Sequence, residues 1–130
     1  STKYLEKYGI PKTTNDLNNH RFISFGKGAP SPVFNPDWAL KLGNKDNKKR
    51  KPIMKVNSVM GLLLAVESGV GLAALPDYLV SQSQNVIKVL SKSEGPITEA
   101  HFVYPQSLKN VARVQAFRNF LYSKISEWKF

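Results

Sequence analysis

Asn57-Ser58 is where this sequence should bring polar side chains, a helix start and a sheet edge together. Pro52-Ile53-Met54-Lys55-Val56 before the pair has the alternation of a strand. Val59, Met60, Leu62, Leu63 and Val66 after it recur at helical spacing. Asn and Ser are helix-capping residues, and the backbone amides left free at a helix start attract anions. In an open α/β sheet, ligands settle at the carboxyl edge of the strands. The pair can therefore cap the helix and also hold a small anionic ligand.

Other chemistry has little to stand on. The chain has no cysteine, which removes disulfides, thiolate zinc sites and cysteine nucleophiles together. Its two histidines, His20 and His101, stand apart, short of the ligand clustering a metal needs. There is no Gly-x-Ser-x-Gly nucleophile elbow and no Gly-Lys-Ser/Thr phosphate loop. Ser68-Gly69-Val70-Gly71 holds a Gly-x-Gly, but it lacks the third glycine and follows a helix, so these glycines are expected to end that helix. Neither an enzyme nor a cofactor is expected.

Nineteen Lys and Arg against nine Asp and Glu give a net charge of +10. Lys41, Lys45, Lys48, Lys49, Arg50, Lys51 and Lys55 face only Asp46 between positions 41 and 55, so that segment supplies seven minus one, or +6. Such a run is either a solvated loop tip or a surface that steers anions or touches nucleic acid. No apolar run reaches the roughly 18 to 20 residues of a membrane span, and Ser1 to Pro11 lacks the order of a secretory signal.

The elements that must position the pair follow from periodicity. Tyr4, Leu5 and Tyr8 before Gly9 and Pro11 predict a short helix, Thr14 to Leu17 a polar turn, and Arg21 to Phe25 a strand. Lys27 to Pro36 has loop composition. Trp38 to Leu42 and Pro52 to Val56 predict two strands joined by the lysine-rich loop as a hairpin. The helix after Ser58 should stop at Gly69 and Gly71, and Leu72 to Leu75 should form a buried strand, parallel to the one ending at Val56 in a βαβ unit. A short helix from Asp77, strands at Val86 to Leu90 and His101 to Pro105, and a long helix from Leu108 to Trp128 complete the chain. Val111, Val114, Phe117, Leu121, Ile125 and Trp128 give that last helix an apolar stripe.

The order Tyr4-Leu5, Tyr8-Gly9-x-Pro11, Asp16-Leu17, His20-Arg21-Phe22-Ile23, Trp38-x-Leu40, Val56-Asn57-Ser58, Ala65-Val66, Gly69 to Leu79 and Val103-Tyr104-Pro105 resembles the substrate-binding domain of LysR-type regulators. Its most specific piece is Ala65 to Leu79, an aliphatic helix followed by paired glycines, a small-residue strand and Pro-Asp-Tyr-Leu. The resemblance implies an α/β fold like a type II periplasmic binding protein, with a mixed sheet flanked by helices and a C-terminal amphipathic helix. It implies that residues 1–100 are the second regulatory subdomain. Residues 101–130 would be the return crossing strand and the closing helix of a first subdomain whose other parts, like the winged helix-turn-helix, lie outside this sequence.

By the same resemblance, Asn57 and Ser58, the strand end Ser24-Phe25-Gly26, and Tyr104 near the crossing would line a cleft for a small, anionic effector. The expected partners are that effector, a second copy of the chain, and DNA through the winged domain alone, in a cytoplasmic bacterial protein. The rivals are an extracytoplasmic solute-binding protein of the same fold and direct nucleic-acid binding through the basic loop.

Overall fold

β1, Ile23–Phe25, is the centre around which the first part of the chain is built. Consecutive residues of a strand face opposite sides of a sheet, and here each side has its own core. Phe22 packs with Tyr4, Leu5, Leu17, Leu40 and Leu72. Ile23 packs with Leu62, Ala65 and Val66 on the other side. β2, Met54–Val56, runs parallel to β1 with Ile23 opposite Met54 and Phe25 opposite Val56. A parallel bridge joins Phe22 to Leu72 on β1's other edge.

The computed structural model describes residues 1–26, 37–44, 48–81, 83–97, 99 and 101–127. It divides into two units, Ser1–Ile97 and Thr98–Phe130. In the first, α1, Thr2–Tyr8, begins at Ser1, whose hydroxyl accepts from the Tyr4 amide. It buries Tyr4 and Leu5 against Phe22. A single 3-10 turn covers Asp16–Asn19, at the predicted polar turn. α2, Trp38–Lys41, buries Leu40 in the same cluster.

α3, Val59–Glu67, covers the opposite side with Leu62, Leu63, Ala65 and Val66 buried. It ends in a Schellman motif. The Gly69 amide donates to the Val66 carbonyl and the Val70 amide to the Ala65 carbonyl, while Gly69 takes φ +77°. α4, Asp77–Val80, follows Pro76 and buries Leu79. In the second unit α5, Ala112–Glu127, has no buried residue.

Several expectations are corrected. Trp38 to Leu42 is not a strand, and the hairpin does not exist. Ala39, Leu40 and Lys41 are strong helix formers, and β2 takes its backbone partners from β1 instead. All described strand pairs are parallel, so the sheet is not mixed among these residues. Leu72 to Leu75 forms no strand: after α3 the chain returns only as a one-residue parallel bridge at Leu72 beside Phe22, with β1 between it and β2. Val86 to Leu90 and His101 to Pro105 form no strand; Val86, Val89 and Leu90 pack by side chain alone. Met60, expected on the buried face of α3, is 52% exposed. The predicted loop 27–36, residues 45–47 of the basic loop, and Trp128 lie outside the described residues.

Arg50 ties the chain between α2 and β2 to the core. Its guanidinium donates to the carbonyls of Leu42 at 2.7 Å and Thr14 at 3.1 Å and to Asn18 Oδ1 at 2.9 Å, and it lies over the Phe22 ring.

Candidate functional site

The parallel register brings both strands to the same edge, where Phe25 is opposite Val56. The Gly26 amide continues the ladder by donating to the Val56 carbonyl at 2.8 Å. A Cβ placed on Gly26 would lie 3.8 Å from the Asn57 Cβ, so the two residues are neighbours at this edge. One residue later the backbone of Ser58 is extended, and α3 starts.

Ser58 is the cap. Its hydroxyl accepts from the Gly61 amide at 3.3 Å, and its carbonyl receives the Leu62 amide at 2.9 Å. Asn57, also expected to cap, makes no such bond; its side chain is exposed beside Gly26. The first turn of α3 contains neither acidic nor basic residues, so the partial positive charge of the helix start has no side-chain counter-charge within that turn. Gly61 lets this turn approach β2 closely, because a Cβ there would stand 2.9 Å from Val56 Cγ1. Sequence reasoning missed Gly61, although a glycine three residues into a strong helix pattern was a visible signal of close approach.

Of the six predicted site residues, five lie at or next to this edge. Gly26, Asn57 and Ser58 form it, Phe25 is half-buried at the end of β1, and Ser24, one residue back, is buried with 3% exposure. Ser24 pairs in register with Lys55 and belongs to the strand's interior more than to its rim. Tyr104 stands in the second unit, half-buried, with its ring 5.4 Å from that of Phe102.

The edge offers backbone amides, one amide side chain and one hydroxyl, a set that can hold an oxyanion or a polar small molecule by hydrogen bonds. It presents no nucleophile paired with a base. No group of three or more His, Cys, Asp or Glu able to hold a metal occurs among the described residues.

A family model described as the LysR substrate binding domain matches residues 1–125. An uncharacterized HTH-type transcriptional regulator of Haemophilus influenzae is 30% identical over 109 residues, 81% of this chain and 36% of its own length. An HTH-type transcriptional regulator of Xanthomonas campestris is 28% identical over 130 residues, 97% of this chain and 38% of its own. The chain thus spans little more than a third of the curated relatives it matches. No solved structure matches it.

Proposed function

Because the chain belongs to the LysR substrate-binding domain family, we propose that it senses a small anionic effector at the edge formed by Gly26, Asn57 and Ser58, for a transcription regulator that reaches DNA through a separate helix-turn-helix domain. The observation that carries this reading is that Gly26 and Asn57 are neighbours where two parallel strands end and α3 begins. An anion there would accept from the α3 amides and from the Asn57 amide group, while Ser58 holds the helix start in place. Phe25 would supply apolar surface beside this edge, and Ser24 would support the strand beneath.

Closure of the cleft around the effector would shift a two-state equilibrium that the DNA-binding part reads, and a second copy of the chain would take part in the assembly. The names of the two relatives favour this reading over a transport role for the same fold.

Amide NMR spectra of the chain, titrated with a panel of mono- and dicarboxylates, test it. A bound carboxylate should move the amides of Gly26, Asn57, Ser58 and Val59 and leave those of α1 in place. Ser58→Trp should abolish these shifts with the core resonances retained. Shifts that cluster elsewhere, or that survive Ser58→Trp, would reject the site.

A further inference from the structure

Lys48, Lys49, Arg50 and Lys51 line an open groove of about 550 Å³ together with Asn15 and Asn18. No carboxylate and no aromatic ring is among its described lining residues. The four cations are not equivalent. Arg50 is committed to Leu42, Thr14 and Asn18, and so fixes its neighbours on the core. Lys49 is paired with Asp37 at 2.8 Å. Lys48 and Lys51 are exposed, and no carboxylate lies within ion-pairing distance of either among the described residues.

Arg50 therefore acts as a scaffold that displays Lys48 and Lys51 beside a shelf of asparagine amides. The groove stands at the entry to β2, whereas Asn57 stands at that strand's exit, so it is separate from the proposed effector edge.

We propose that this groove is a docking surface for the sugar-phosphate backbone of duplex DNA. Its openness suits a polyanion lying across it more than an enclosed small molecule, and lysines with amide donors are phosphate contacts that carry no base readout. Single strands are bound largely by stacking bases on aromatic rings, which this lining lacks. The choice of DNA among duplex polyanions rests on the regulator reading above. Contacts of this kind position a protein on DNA and release counterions, so they bind without sequence preference and weaken steeply with salt.

The test is fluorescence anisotropy of the chain with two unrelated duplexes of about 20 base pairs over a salt series. Both duplexes should bind alike. The double variant Lys48→Gln/Lys51→Gln should lose roughly tenfold in affinity at low salt and flatten the log–log salt dependence by about 0.9 per lost phosphate contact. Lys88→Gln/Lys92→Gln, with the same change in net charge outside the groove, should leave that slope in place.

Equal losses in the two double variants would reduce the effect to net charge and overturn the proposal. So would the absence of binding at low salt, tighter binding to single-stranded RNA of equal length, or full displacement by inorganic pyrophosphate at around its binding concentration. The carboxylate-induced shifts at Gly26 and Asn57, recorded with and without duplex, report the effector site separately. Failure of the groove leaves those shifts intact, and failure of the effector reading leaves the salt slopes intact.

Discussion

Arg50 is a structural cation inside a run whose sequence gives no hint of it. Lys48, Lys49, Arg50 and Lys51 have no apolar period to place one side chain inward, so the run was expected to be solvated as a whole. The distinguishing physics is the planar fork of the guanidinium, which reaches carbonyls on two separate segments at once while a lysine ammonium cannot. Arg50→Ala strands the Leu42 and Thr14 carbonyls and should cost about 1 to 2 kcal/mol, allowing for the partial exposure of the network. Arg50→Lys should recover less than half of that, both read from urea midpoints. Full recovery by lysine would show that charge alone matters. His20 gives a pH dependence. The buried Tyr4 hydroxyl accepts from the Arg21 amide at 2.8 Å and lies 3.2 Å from His20 Nδ1, a hydrogen bond in which either group can be the donor. Desolvation pushes the His20 pKa below its ordinary 6.5, against the weaker opposing pull of Asp16. Below pH 6.5 the unfolded chain then binds the proton more readily than the folded one. This contribution is present above 6.5 and is lost as pH falls through the lowered folded value. His20→Gln should flatten the stability profile over that interval, and an unchanged profile would remove His20 as its source.

At the scale of elements, strongly periodic segments were legible and sheet partners were not. The α1 and α3 patterns predicted helices that are present, the Gly69 stop is a full Schellman motif, and the site pair falls where the strand-to-helix transition placed it. Pairing is decided by contacts distant in sequence, and three-residue strands carry too little pattern to specify a neighbour. That is why the sequence points β2 to Trp38 to Leu42 as its partner, when both β2 and Leu72 flank β1. Gly71 is the residue that allows Leu72 this place. A Cβ there would stand 2.6 Å from the Arg21 carbonyl oxygen, the acceptor of the Leu72 amide. Backbone cannot swing aside as a flexible side chain does, so Gly71→Ala must push Leu72 off β1. We expect it to cost roughly 2 to 3 kcal/mol, at the upper end of ordinary substitutions. Gly69→Ala meets no atom closer than 3.6 Å and should cost only the left-handed backbone penalty, about 1 to 2 kcal/mol. Thermal melts of both variants check the order, and an equal or reversed ranking would mean that the strand edge yields more easily than its geometry implies.

At the scale of the whole molecule, the described core is carried by one unit. Among the described residues every buried apolar one lies between Tyr4 and Leu79, and none belongs to the second unit. α5 nevertheless has the expected stripe, with Val111, Val114 and Leu121 half-buried and Phe117 and Ile125 at 53% and 50% exposure. The Phe102 ring meets that of Phe117 edge-on at 5.8 Å, which covers only part of the stripe. A helix of 16 residues is marginal in water without a surface to pack on, since most helical stability in proteins comes from burial of the apolar face. Each large side chain of the stripe contributes roughly 1.5 to 3 kcal/mol when fully buried, so covering it against a second copy gives the isolated chain a route to an ordered helix. Order in α5 should then depend on protein concentration while order in β1 does not, because association stabilises by mass action only the element it covers. Hydrogen exchange at two concentrations tenfold apart is the measurement. The amides of Val114 to Leu121 should slow at the higher concentration, those of Ile23 to Phe25 should not change, and Phe117→Asp should abolish the difference and leave light scattering at the monomer mass. Slow exchange in α5 at both concentrations in a monomeric chain would show that its stripe is satisfied without a second copy.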